Sequence, residues 1–475
     1  MKHETMKHET MKHESVTSRA IANRPIIRGI LLASMALLVL QIAAGTAQGQ
    51  TTVLSETTWG GFGTDIGTGV AVAVDGSSYV VGTTDSFTTD QFGNPSAKIF
   101  LVKFTPNGLV AWQKIWNGPT FTGGFHEPAV ALDPGLSPTN AADDSVYVTG
   151  LTTSNGNDAV LLKFDALGNL VWQRTWGGIQ NDEGHAVATA PDGSVYIAGH
   201  TDSFGASGAA LFVVKFNSAG ALVWQKIQDV SAGVAALAVA PDGSVYAAGS
   251  ASVGGLFDQF DVVALKITSG GTLVWQRTYS TGAIVDPRGG MTVAPDGSIY
   301  IAGALQAPRM GITDLAALVI RLSADGSLLL DRQWGGRGGE AASGIAAAPD
   351  STVYVTGTSN SSGAGFEDVF VFHLLQTGKV AASATWGGTG FDEGGGVAVA
   401  ADGTVVLAAL AQAPPYSLLA PSSKISNVKG TLTVGTAAFG NASGTVSDPA
   451  ATVTIPAGST IFGGSVDAAL VRIVP

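Results

Sequence analysis

The sequence predicts an all-β fold: a seven-bladed β-propeller of four-stranded antiparallel blades, closed by the N-terminal strand completing the last blade. Three observations carry this. A unit of about fifty residues recurs seven times along the chain. Each unit parses into four short apolar runs between turn residues, and no stretch shows a sustained helical period. The tail matches a third strand, whereas the segment after the leader matches a fourth.

Blade three shows the unit in full, TWGGIQNDEGHAVATAPDGSVYIAGHTDSFGASGAALFVVKFNSAGALVWQKI, residues 175–227. Its tryptophan position is held by Trp59, Trp116, Trp176, Trp334 and Trp386, with Ile227 and Tyr279 at two degenerate places. Aspartate-led turns keep the same beat at Asp75, Asp143, Asp192, Asp242, Asp296, Asp350 and Asp402, although Asp144 and Ser351 replace the turn glycine twice. A glycine then stands in each second strand (Gly82, Gly150, Gly199, Gly249, Gly303, Gly357), with Ala409 in the seventh. All nine tryptophans fall at two repeat positions, which marks them first as packing residues.

The first strands (GVAVAV, AVATA, GIAAA) are small and apolar and suit the crowded centre of a ring. The second strands are SVYIAG-like and alternate as a sheet face requires. The third strands (LFVVKF) end on a basic residue, replaced in the sixth unit by His373, which reads as structural. The fourth strands carry Gln-Lys or Gln-Arg, as at Gln113–Lys114 and Gln173–Arg174, and belong outside, where charge discourages edge pairing. The tail, VDAALVRIVP, matches the third strand NDAVLLKFDA, and TTVLSETTWGG, residues 51–61, matches GNLVWQRTWGG. The two ends are therefore expected to zip together. An insertion at 411–465, rich in Ser, Thr, Pro and Gly, is expected to form a β-hairpin flap over the channel mouth or a solvated linker.

The first residues, MKHETMKHETMKHES, read as a duplicated start with translation beginning at Met1 or Met11. Their histidines, His3, His8 and His13, precede an export signal rather than forming a metal site. Arg19, Arg24 and Arg28 lead into the apolar run ILLASMALLVLQIAA and a small-residue exit, the pattern of a secretory signal peptide. Residues 1–47 are expected to be removed, with cleavage between Ala44 and Gln50. The apolar run is short for a spanning helix, which needs about 20 residues. No cysteine follows it for lipid attachment.

Removal of that segment leaves 18 basic and 33 acidic residues, a net charge of −15. Such a surface repels phosphate backbones and anionic lipid, so neither a nucleic-acid nor a membrane-surface partner is expected. No other stretch of the sequence is a candidate spanning helix, so no membrane span is expected in the mature chain. Cations, neutral glycans and basic proteins remain open. With no cysteine, the ring must hold by packing alone.

The pattern WGG…DEG…VAVAPDGSVYVAG…DAFVVKF…LVWQR resembles the SBBP (seven-bladed β-propeller) repeat of prokaryotic exported and cell-surface proteins. The resemblance covers nearly all of 51–475 apart from the insertion. It implies fold and a secreted, cell-surface or periplasmic location. It brings no agreed catalytic residues.

Strand parity sorts the loops. First-to-second and third-to-fourth turns share one face and are short (PDGS, DALGN, SADGS). The other two connections share the opposite face and are long and variable (TTDSFTTDQFGNPSA, HTDSFGASGA), the usual place for binding. Six residues after the tryptophan stand Asp65, Asp182, Glu340 and Asp392. One reading is a ring of carboxylates able to hold Ca²⁺ through oxygen ligands. The other is that each acid accepts backbone N–H bonds within its own loop, as a need repeated from blade to blade suggests. Residues that break the symmetry are the weak catalytic candidates: His126, His185 and Arg288, able to act as acid/base or anion-binding groups at the mouth. His200 closes the second strand of the same blade as His185, and Asp286 accompanies Arg288.

Three functions follow. The leading one is an exported, non-enzymatic, monomeric scaffold or binder of glycan or protein through the long-loop face. The second is an enzyme. FDALGNLVW resembles the tryptophan-docking phrase of quinoprotein dehydrogenases, but their paired cysteines and a quinone-ligand cluster are absent; a polysaccharide-acting enzyme also fits a deep mouth. The third is a calcium-stabilised structural repeat protein.

Overall fold

Each repeat folds as one sheet in the computed structural model. It describes residues 37–42, 51–89, 93, 96–119, 128–133, 145–153, 156–205, 209–229, 232–252, 260–280, 284–288, 290–309, 312–336 and 338–412, six short strands between 417 and 454, and 467–474. From the centre outward, blade one is Asp65–Val72, Ser78–Thr84, Lys98–Phe104 and Val110–Trp116. Blade two is Ala129–Asp133, Ser145–Thr152, Asp158–Phe164 and Leu170–Gly177. Blade three is Asp182–Thr189, Val195–Thr201, Ala210–Phe216 and Leu222–Gln228. Blade four is Ala232–Val239, Val245–Ser252, Phe260–Ile267 and Leu273–Ser280. Blade five has a split inner strand, Ile284–Asp286 and Met291–Val293, then Ile299–Arg309, Ile312–Leu322 and Leu328–Gly335. The break falls at Pro287, which has no N–H to give the ladder. Blade six is Glu340–Ala347, Val353–Ser359, Asp368–Leu374 and Val380–Gly387. Blade seven is Glu393–Val399, Val405–Ala411, Asp467–Val474 and, from the other end of the chain, Thr51–Trp59.

The ends therefore close the ring, with Trp59 opposite Ala468, Thr58 opposite Ala469 and Thr57 opposite Leu470. The core confirms closure. Among the described residues it divides into seven apolar clusters, each shared by two neighbouring blades. One, with Trp59, Phe100, Val406 and Leu470, bridges blades seven and one.

The repeated residues explain themselves at these interfaces. Trp59, Trp116 and Trp176 are buried and donate their indole N–H to Gln113, Gln173 and Gln225, each on the outer strand of the next blade, at 2.6, 2.9 and 2.6 Å. Tyr279, at a degenerate position, makes the same reach with its hydroxyl to Asp331 at 3.0 Å. The second tryptophan class (Trp112, Trp172, Trp224, Trp275) donates to a carbonyl in the third-to-fourth turn of the following blade. In blades one to five the basic residue ending the third strand lies over the tyrosine of the second strand, as Lys163 does over Tyr147 and Arg321 over Tyr300. His373 stacks on Tyr354 at 4.3 Å and meets Thr352 Oγ1 at 2.7 Å, a packing role in the place of lysine.

The second-strand glycines answer a close approach. The inner strand bulges between Gly67 and Gly69, Gly184 and Ala186, and Ala342 and Gly344. That bulge presses a carbonyl onto the next strand: a Cβ on Gly82 would lie 1.8 Å from Ile66 O, and one on Gly357 2.0 Å from Ala341 O.

Two expectations change. The described parts of 411–465 do not form a hairpin flap. Ser417–Leu419, Lys424–Asn427, Thr431–Val434, Phe439–Asn441, Thr445–Ser447 and Val453–Thr454 each pair antiparallel with the outer strand of a different blade, running from blade six back to blade one. The segment is a belt around the rim. The physical reason is that every outer strand offers an unpaired edge, and a short run satisfies it more completely than solvent does. Fourth-strand charge did not leave those edges bare. The second change is at Leu37–Ile42, inside the expected leader, which forms an edge strand on blade seven beside Thr51–Val53 and Leu470–Val474. This apolar run lies against the one blade that the belt strands do not pair with.

Candidate functional site

The inner strands surround a central cavity of about 360 Å³ on the long-loop half of the ring. Most of its wall is small and apolar: Gly69, Val70, Ala129, Ala236, Gly344, Gly396 and their neighbours. Its wall also carries the polar side chains Glu183, His185 and Arg288. Two of the sequence-predicted candidates, His185 and Arg288, thus line one cavity. His126 lies outside the described residues.

Local structure sets each group. Glu183 and His200 are cross-strand partners, so their side chains share a face. The register shifts between Gly184 and Ala186, so His185 sits at a bulge. His185 Nε2 lies 3.4 Å from Glu183 Oε2, and the His185 and His200 rings face each other at 5.9 Å with 27° between planes. One donor atom from each of Glu183, His185 and His200 falls within 4.8 Å of the others. His200 Nε2 also stands 3.5 Å from Asp202 Oδ1. Arg288 is held by Asp286, Nε to Oδ2 at 2.8 Å, so its charge is partly neutralised by the residue two before it. In blades one and six the place of His185 is taken by Thr68 and Ser343, whose hydroxyls bond the backbone of the neighbouring blade at Pro128 O and Gly394 O.

The four repeat acids are placed differently. Asp65, Asp182, Glu340 and Asp392 are fully buried at blade boundaries, and none of them lines the cavity. Each accepts the N–H of the residue four before it: Gly61, Gly178, Gly336 and Gly388. Three also accept a serine hydroxyl, from Ser86, Ser203 and Ser361, and Asp392 takes Gln412 N instead. Burial pushes Asp65 and Asp392 up to about 6. Asp158 also rises to about 6, through burial and then the Asp182 carboxylate facing it across Gly177.

Sequence reasoning missed a surface feature. Phe366 and Phe391 stack at 5.3 Å, 14° from parallel, and both are exposed on the long-loop face at 71% and 47%. Phe366 N donates to Gly390 O and Phe391 N to the Gln412 side chain at Oε1, so a hydrogen bond ties each loop. Phe62 and Ile179 project at equivalent places three residues after Trp59 and Trp176, 88% and 89% exposed. Their signal was available: an apolar residue after WGG, where a loop needs none.

No known protein-family model matches the chain. A 64-residue stretch is 42% identical to the regulatory protein FlaEY of Caulobacter vibrioides, covering 12% of this chain and 7% of that protein. Among solved structures, a puromycin hydrolase is similar at 15% identity and a TM-score of 0.42, over 75% of this chain and 51% of that one. A protein of unknown function from Bacteroides caccae is similar at 12% identity and 0.35, over 52% and 78%. A glucose dehydrogenase is similar at 14% identity and 0.34, over 59% and 92%. These likenesses are too remote to bring a function with them.

Proposed function

We propose that this chain is an exported SBBP-type propeller acting as a non-enzymatic binding module, which takes a glycan or protein ligand on its long-loop face. The observation that carries the reading is the solvent-exposed Phe366–Phe391 stack on the long-loop face, with the backbone N–H of each residue hydrogen-bonded. Exposed aromatic faces on fixed loops lose little entropy on binding and supply large contact area. Phe62 and Ile179 extend the apolar relief to other blades. Export would remove residues 1–47, including the edge strand Leu37–Ile42, and leave the ring of 51–475 intact.

The test is binding of the purified chain to a glycan array and to an extract of envelope proteins. Retention on either, lost in Phe366→Ala with Phe391→Ala at unchanged melting temperature, supports the reading. Retention that survives both substitutions overturns the assignment to this face. The enzyme reading rests on the Glu183–His185–His200 group in the cavity, and predicts dye reduction with added quinone or cleavage of a polysaccharide.

A further inference from the structure

We propose that Glu183, His185 and His200 form a binding site for one divalent transition-metal ion in the wall of the central cavity. Two imidazoles and one carboxylate suit zinc, copper or nickel, whereas calcium and magnesium take oxygen ligands. The geometry is close to what such an ion needs. Metal–ligand bonds of about 2.0–2.2 Å place two ligands of one ion roughly 3–3.5 Å apart. His185 Nε2 and Glu183 Oε2 are already at 3.4 Å, and all three donors fall within 4.8 Å. Rotation about side-chain bonds closes the rest without moving a strand.

The site rests on two adjacent strands, which fixes it more tightly than loops do. All three side chains are part-exposed, and two of them line the cavity. A three-ligand ion there keeps open positions toward solvent, the arrangement of catalytic rather than structural metal sites. Asp202, 3.5 Å from His200 Nε2, is a carboxylate able to orient that imidazole.

The repeat supplies its own control. The register of blade three matches that of blades one and six, bulge included. Glu183, His185 and His200 there correspond to Ile66, Thr68 and Thr83 in blade one and to Ala341, Ser343 and Thr358 in blade six. The fold therefore does not require any of the three groups. Glu183 recurs in blade seven as Glu393, opposite Leu410, whereas His185 and His200 are histidines in blade three only. Two histidines converging on a repeat carboxylate in one blade is what a ligand site produces and packing does not.

The substitutions that test it can be borrowed from the other blades. Full-length protein carrying His3→Ala, His8→Ala and His13→Ala, stripped with a chelator, is titrated with Zn²⁺ by calorimetry. One equivalent should bind, and millimolar Ca²⁺ should not displace it. Glu183→Ala, His185→Ser and His200→Thr should each weaken Zn²⁺ binding by about tenfold or more while leaving the metal-free melting temperature unchanged. Cu²⁺ bound to the same protein should show nitrogen coupling in its electron paramagnetic resonance, reduced in His185→Ser. Absence of saturable Zn²⁺ binding, or binding that persists in His185→Ser and His200→Thr, overturns the assignment.

Discussion

Trp59 hands its indole N–H to Gln113 Oε1 at 2.6 Å, so the strand that opens the ring is fixed to blade one as well as to the tail of the chain. The same bond recurs from Trp116 to Gln173 and from Trp176 to Gln225. At Trp59 it spans the seam between the two ends. Gln113→Ala leaves a buried donor unpaired, which costs about 1–3 kcal/mol. Urea unfolding should show a lower midpoint for Gln113→Ala, and an unaltered midpoint would exclude the bond from the seam's stability.

Gly82→Ala places a Cβ 1.8 Å from Ile66 O, and the bulge behind it cannot retreat without disturbing blade seven. Overpacking of this kind costs roughly 1–3 kcal/mol. Gly297, by contrast, has φ +81 with nothing within 4 Å of a Cβ. Gly297→Ala should therefore carry only the left-handed backbone penalty, about 1–2 kcal/mol. Crystal structures of the two variants separate the causes: a shifted inner strand in the first, a remodelled turn in the second.

Acid should at first strengthen this protein. Asp65, Asp158 and Asp392 have folded values near 6, above the ordinary 3.8. The folded state then binds more protons than the unfolded one between those values, so stability rises as pH falls from 7 toward 4. The turn aspartates Asp192, Asp242, Asp296 and Asp350 are held low, chiefly by bonds from the serine or threonine two residues on and by nearby basic groups. Their contribution is lost as pH drops below about 4. Melting temperature should peak near pH 4–5, and Asp65→Asn should flatten the rise between pH 7 and 5. A melting temperature that falls monotonically from pH 7 contradicts the account.

Ala411 and Asp467 are cross-strand partners, so a short turn can join them. Replacing 413–465 with a Gly/Ser turn should leave a ring of seven four-stranded blades. Six outer edges would then lack their fifth strand. Light scattering should show concentration-dependent association of this variant, with circular dichroism still of β type. A dispersed, monomeric product would mean that fourth-strand charge alone protects the rim.

The ring was legible because its signals repeat. Seven tryptophan positions, seven turns and a displaced fourth strand leave one closure that pairs every run. The acids were legible for the same reason: a residue that four of the loops use returns at the same place in each of them. The belt was not. Its partners Leu418, Ile425, Leu432, Gly440, Val446 and Val453 sit opposite Trp386, Trp334, Tyr279, Ile227, Trp176 and Trp116. That is a beat of about seven residues, but strands of two to four residues are too short to show alternation. The site was half legible. His185 and Arg288 stand out as departures from the repeat. Joining Glu183 and His200 to His185 needed the strand register and the bulge, which spacing alone does not give.

The belt also dictates a timetable. Its strands lie at 417–454, after the sixth blade, and the tail that meets the opening strand lies at 467–474. A chain emerging from its N-terminus must therefore hold six finished sheets with naked margins until its final eighth arrives. Cover and closure come together, at the very end. Chains halted before residue 467 should accumulate as aggregates rather than as smaller rings.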